Sequence, residues 1–324
     1  MNNVPQEVGN PLVTLGVLLI FAACVAIWAQ IVYRLIRGLP ILPYTPRRMV
    51  PWKLIDVVGV LLGYMLLAFW FTFLVQFGFG VRFREAPADH REAAVVEKPA
   101  ADQPQADEPK PDLAHPLIVL LRSRPNPVIL LFCVLIAAVV APVAEEIMFR
   151  LLLQGWLEAF ERRHRRRWAV WRRLARGIVP VVLVSALFAA AHFREQGREP
   201  DPDALLYLFA IDAAAKLLAI GIGLGLIYRL RGATLADLGL VPATFWSDVR
   251  LGLLSYLACA PVVLAIQAVA INLLPKWLAA DPIALFVFAS VLGTLYYRTH
   301  RIVPSIVTHM ALNTMSLAAA WTLA

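Results

Sequence analysis

The chain has 324 residues, 60% of them hydrophobic and only 16% charged, with a formal net charge of +8. A soluble domain spends roughly a quarter of its residues on charge. Together with a mean hydropathy of +0.70, these values exclude a disordered chain, a collagen-like chain and an ordinary soluble enzyme, and they point to a polytopic membrane protein.

Residues 1–10 lack the basic region of a signal peptide, and the first apolar run, 12–36, is too long for a signal core, so a retained helix is expected. Arg34, Arg37, Arg47, Arg48 and Lys53 follow, then a second run over 54–79. Residues 80–115 change character: Pro, Glu, Asp, Ala and Lys predict a flexible linker or small cap outside the membrane. Apolar character resumes over 116–160, interrupted at Pro142, as one kinked helix or as two. The arginine-rich stretch 162–176, with Trp168 and Trp171, marks a loop on the cytoplasmic side. Further spans are expected over 178–193, 205–228, 251–274, 283–297 and 302–323. No strand-like alternation appears, so the reading is all-α: a polytopic transmembrane helical bundle of about eight spans with a polar linker between spans 2 and 3. The basic surplus then reads as loops facing anionic lipid, not nucleic acid, since no groove-reading motif occurs. Cys24, Cys133 and Cys259 lie in apolar runs without CxxC spacing and read as small buried hydrophobes.

A charge at the centre of a bilayer helix costs roughly 2.5–3.5 kcal/mol on insertion scales, so polar residues inside apolar runs need a reason. That screen retains Glu145, Glu146, Arg150, His192, Asp212, Lys216, His309 and Asn313. Adjacent Glu145 and Glu146 point about 100° apart on a helix. Glu146 and Arg150, four apart, can neutralise each other, which leaves Glu145 free as a base. The small residues before His192 permit close helix approach. His309 and Asn313 share a helix face and can both donate to one point, the geometry of an oxyanion site. The plainer readings are a structural ion pair, a hydrogen-bonded core histidine and an interhelical polar clamp. Asp212 and Lys216 read as a self-neutralising pair that makes their helix insertable.

In this order the three motifs, Glu145-Glu146-x-x-x-Arg150, Phe188-x-x-x-His192 and His309-x-x-x-Asn313, resemble the CPBP family: the CAAX prenyl endopeptidases and the bacteriocin-processing or immunity proteins also called Abi. Flanks 141–144 and 302–305 are similar too. The likeness covers about 126–193 and 283–316 and sets the domains at 1–79 (paired spans), 80–115 (linker) and 116–324 (protease-like), with an inserted pair of spans near 205–275. The resemblance implies an intramembrane endopeptidase. In it Glu145 takes a proton from water, His192 holds that water, His309 and Asn313 stabilise the oxyanion, and Glu146 and Arg150 support the helix and the substrate carboxylate. No metal or other cofactor is favoured. Zinc held by Glu145, His192 and His309 is the alternative donor set, although no His-Glu-x-x-His motif occurs.

The implied partners are the lipid bilayer and a membrane-associated peptide or protein, lipidated or not. The expected location is a multi-pass place in a bacterial cytoplasmic membrane. Competing readings are a transport bundle, a haem- or other cofactor-binding bundle, and a catalytically silent immunity protein or scaffold on the same fold. Counting 116–160 as one crossing puts every basic loop on one side, yet it sets His192 near the outer end of its span and His309 near the inner end of the last. Their meeting then demands a kinked or re-entrant helix, or a different parse of the spans.

Overall fold

The computed structural model describes residues 11–46, 48–78, 126–167, 173–192, 202–273 and 282–322. The linker 80–115, Trp168 and Trp171 lie outside them. Eight helical elements are described: α1 (Pro11–Ile36), α2 (Leu54–Gly78), α3 (Pro127–His164), α4 (Ile178–Ala191), α5 (Pro202–Arg231), α6 (Phe245–Leu273), α7 (Pro282–Thr299) and α8 (Val303–Thr322). Six are long and apolar enough to cross a membrane: α1, α2, α3, α5, α6 with the turn before it, and α7. No strand occurs among the described residues. The chain is an all-α polytopic bundle.

The 116–160 stretch is one continuous rod from Pro127, not two helices. Proline removes a backbone donor and its ring crowds the carbonyl four residues back. Here a π-helical segment, Leu135–Val140, comes just before Pro142, and the N–H of Ala141 reaches Ile136 O, five residues back. The wider turn absorbs the proline without ending the helix. A second π segment, Ile147–Gln154, follows the paired glutamates.

The chain forms two compact units. Unit 1 comprises residues 1–57, 145–194 and 226–312. Its closest helix pair is α4 against α7. Gly177, at φ +81°, turns the chain into α4, and any Cβ there would overlap the Tyr297 ring. Further along, Val181 packs on Gly293. Cys259, Val263, Ala284, Phe288 and Leu292 form the apolar seam between α6 and α7, about what four or five buried aliphatic and aromatic groups need to hold two helices together. Trp28 on α1 donates its indole N–H to Ala258 O at 3.1 Å. Buried Trp52 donates to Leu152 O at 3.0 Å.

Unit 1 gathers its basic loops at one end. The N–H of Thr45 donates to Arg298 O at 2.9 Å, Tyr297 donates to Arg176 O, and Arg231 forks onto Asp56 with two bonds of 2.9 Å. Arg301 pairs with Asp248, and Ile302 N–H donates to Gly239 O at 3.2 Å. Beneath them, buried Glu161 accepts from Gly177 N–H at 3.0 Å and from Arg165 at 2.5 Å. Arginines scattered through the sequence thus form one cationic end, each strong pair closing a loop onto a helix.

Unit 2 comprises 58–144, 195–225 and 313–324. Cys133 is buried there among Ile129, Leu130, Ala137, Leu206, Phe209 and Leu317. Val60 of α2 lies against Gly223 of α5. The helices of both units present long apolar side chains outward: Phe21 is 65% exposed and Phe69 is 72% exposed. Water would not tolerate such faces at this density, but hydrocarbon does, because the helices satisfy their own backbone groups.

Candidate active site

Unit 1 brings Glu145, Glu146, Arg150, His192 and His309 together. Glu145 and Glu146 close the α-helical segment before the second π segment of α3, and their side chains take different partners. Glu145 Oε2 stands 3.4 Å from His192 Nε2 and 3.9 Å from His309 Nε2. Glu146 Oε1 is 3.1 Å from His309 Nδ1, and its Oε2 is 3.4 Å from Arg150 Nε. The side chain of Glu146 is fully buried, whereas that of Glu145 is 16% exposed and that of His192 29% exposed. An incoming molecule can therefore reach Glu145 and not Glu146.

His192 ends α4, with φ −99° and ψ 2°. Its Nδ1 lies 2.8 Å from Phe188 O, one turn back. A carbonyl can only accept, so Nδ1 carries the proton and the Nε2 lone pair faces Glu145. His309 is held the same way from the other side, with Nδ1 against Glu146 and Nε2 toward Glu145. Each imidazole thus has one nitrogen tied to the protein and the other turned to the same carboxylate oxygen. Phe188, fully buried, joins the set. Its ring lies 4.4 Å from that of His192, 5.8 Å from that of His309 and 5.2 Å from the Arg150 guanidinium.

The depth conflict left by the sequence resolves in the length of α4. With 14 residues it rises about 21 Å, well short of a roughly 30 Å hydrocarbon core. Its end, His192, therefore stops part-way, and the ring folds back toward Phe188. On the other side, Ser305 of α8 donates to Leu292 O at 3.1 Å, and the His309 ring sits 5.4 Å from Phe288. Both histidines thus meet at the level of Phe188 and Phe288. The sequence reading took 178–193 as a full span, but α4, at 14 residues, is shorter than the six helices long enough to cross.

Asn313, one turn beyond His309 on α8, belongs to unit 2, where its Nδ2 donates to Ala137 O at 2.9 Å. Asp212 and Lys216 are also in unit 2. They pair at 2.8 Å, and Tyr64 donates to Asp212 at 2.7 Å.

Two imidazole Nε2 atoms and a carboxylate are donors of the type zinc takes. Among the described residues, however, no group of three or more His, Cys, Asp or Glu side chains has the spacing of a metal cage. What the arrangement can do by itself is general-base chemistry: an accessible carboxylate with two oriented imidazoles, backed by a buried Glu146–Arg150 pair that neutralises the second negative charge.

Sequence reasoning missed two things here. The Glu146–His309 contact joins residues 163 positions apart, and no local pattern signals it. The buried row Glu146, Arg150, Gln154, Glu158 was readable, since the i, i+4 spacing that picked out Arg150 simply continues.

Against known proteins, the model of one family, type II CAAX prenyl endopeptidase Rce1-like, matches residues 127–240 and 230–315. The two matched segments hold all three motifs. No curated protein and no solved structure matches the chain.

Proposed function

Because the chain belongs to the type II CAAX prenyl endopeptidase Rce1-like family, we propose that it cleaves a peptide bond within the membrane by glutamate-activated water. The observation that carries this reading is the convergence of His192 Nε2 and His309 Nε2 on Glu145 Oε2, at 3.4 and 3.9 Å.

Glu145 accepts a proton from a water molecule as that water attacks the scissile carbonyl. His192 Nε2, a lone pair because Nδ1–H is committed to Phe188 O, accepts the second water hydrogen and aims the oxygen. A tetrahedral oxyanion forms. The His309 ring, anchored through Nδ1 on Glu146, turns its Nε2 toward the oxyanion as a preorganised donor. Glu145 then returns its proton to the leaving amine. The buried Arg150 guanidinium, 3.4 Å away, holds the Glu146 carboxylate in place for His309. The substrate is a membrane-associated peptide or protein segment, and the basic end of unit 1 faces the cytoplasm.

The test compares Glu145→Ala, Glu146→Ala and Asp212→Ala in a peptide-cleavage assay with lipidated and unlipidated forms of one peptide. Glu145→Ala should abolish turnover, and Asp212→Ala should retain most of it in correctly folded protein. Normal cleavage by Glu145→Ala would overturn the mechanism.

A further inference from the structure

Glu146 stands 12 positions along α3 from Glu158, at the basic end. That is roughly 15–18 Å of helix. A hydrolase consumes one water per turnover, so the route of that water is a structural question. One face of α3 carries Glu146, Arg150, Gln154 and Glu158, none more than 5% exposed. In a pure α-helix, residues four apart drift about 40° per step, so this row would wind about 120° around the rod. The π segment Ile147–Gln154 covers two of the three steps. Its i→i+5 bonding widens the turn to roughly 4.4 residues, so four residues fall about 33° short of a turn there instead of overshooting it. The deviations nearly cancel, and the four side chains stack in an almost straight line.

This line is polar and under-bonded. Among the described residues, Arg150 Nη1 and Nη2, Glu146 Oε2 and Gln154 Oε1 are buried without a hydrogen-bond partner. A native interior leaves few such atoms, and an unpartnered buried group costs on the order of 1–3 kcal/mol. Gln154 is fixed otherwise, its Nε2 donating to Glu158 Oε1 at 2.9 Å and to Gly293 O at 2.8 Å. Its carbonyl oxygen is thereby turned away from both acceptors. Across the line, α4 supplies Ser185, fully buried, whose Oγ also has no partner among the described residues. Ser185 lies between Val181, beside Gly293 and Gln154, and Phe188, beside Arg150. At the far end Glu158 Oε2 is 3.9 Å from His300 Nε2. His300 holds a left-handed backbone, φ 51°, between α7 and α8, and its side chain is 13% exposed.

We infer that a file of hydrogen-bonded water runs inside unit 1 from His300 and Glu158, past Gln154 and Ser185, to Arg150 and Glu146, and delivers water from the basic end to Glu145. About five or six molecules at hydrogen-bond spacing of roughly 2.8 Å span the distance. Each unpartnered atom then has a place: Gln154 Oε1 and Glu146 Oε2 accept, the Arg150 nitrogens donate, and Ser185 does both. Buried waters of this kind bond to two to four otherwise unsatisfied polar groups. Only the destination of the file rests on the peptidase reading.

Hydroxyl-radical footprinting of the full chain in lipid nanodiscs tests it, because bound water generates the label beside buried side chains. Rates are normalised to the unfolded chain. Phe188 at one end and Tyr296, whose ring lies 5.8 Å from that of His300, at the other are 0% and 1% exposed and should label at least tenfold faster than Val263 in the apolar seam. Gln154→Leu should cut Phe188 labelling at least fivefold. Ser185→Ala, which removes one hydroxyl and folds readily, should lower it at Phe188 but not at Tyr296, since Ser185 sits between them. The file is overturned if Phe188 and Tyr296 label no faster than Val263, or if both variants leave Phe188 unchanged, which would mean that water arrives from another side. The readout is independent of cleavage. A dry interior with an active Glu145 and a wet file in an inactive chain are distinguishable results.

Discussion

Among the described residues, two i, i+4 acid–base pairs lie inside membrane helices, one in each unit, and they are built oppositely. In unit 2, Asp212 and Lys216 meet at 2.8 Å with 36% and 25% of their side chains exposed. Tyr64 donates to Asp212 at 2.7 Å, and its ring lies 5.9 Å from the Lys216 ammonium. The pair is neutralised within its own helix and takes one hydroxyl from α2. In unit 1, Glu146 and Arg150 are both fully buried, stand 3.4 Å apart, and leave Glu146 Oε2 and the whole Arg150 guanidinium without a hydrogen bond among the described residues. The same sequence spacing thus gives a closed, partly exposed pair in one place and a buried pair with unused polar atoms in the other.

The comparison breaks most visibly if the buried charge is removed from one side. Arg150→Met should destabilise unit 1 by about 3–5 kcal/mol, because Glu146 then lies buried without its cation. Reversible denaturation in mild detergent measures this, and the double variant Arg150→Met/Glu146→Gln should recover a large part of the loss. A loss under about 1 kcal/mol would mean that Arg150 contributes no charge compensation. Glu145→Gln, by contrast, should leave stability within about 1 kcal/mol while removing a general base worth roughly 10²–10⁴ in rate.

Next in size is Glu146→Gln. Under the proposed mechanism Glu146 orients His309 and takes no proton from the attacking water, so it is a positioning residue. Losing its charge should lower kcat by about 10- to 100-fold, in the range of other groups that orient a catalytic imidazole, with KM nearly unchanged. The ¹⁵N resonance of His309 Nδ1 should move in the same variant. A purely structural Glu146 would leave that resonance in place.

Much of this was legible from residue order. The apolar runs gave the all-α membrane bundle, and the arginines gave one basic end, because both follow from transfer energies that act residue by residue. Pro142 was ambiguous, because whether a proline breaks a helix depends on the turn before it, and the π segment at Leu135–Val140 has no sequence mark of its own. The three motifs pointed to Glu145, His192 and His309 as residue types worth attention. Their meeting at one depth could not be read, since it depends on α4 stopping after 14 residues and on the register of α7 against α8. The Glu146–His309 bond joins distant chain segments, so it is a property of packing alone.

The smallest expected effect falls on unit 2. If Asp212 and Lys216 only neutralise each other, replacing both with Leu removes two partly exposed charges together and leaves a helix more compatible with lipid. Asp212→Leu/Lys216→Leu should therefore shift stability by no more than about 1 kcal/mol in either direction and keep turnover within about twofold. Asp212→Leu alone should cost more than the double variant, because it leaves the Lys216 ammonium without its carboxylate. Tyr64→Phe should cost about 1 kcal/mol, one ordinary hydrogen bond. This order is the informative result: single worse than double means a self-contained pair. A double variant that loses turnover while folding normally would place this polar triad in the protein's chemistry and erase the distinction between the two units.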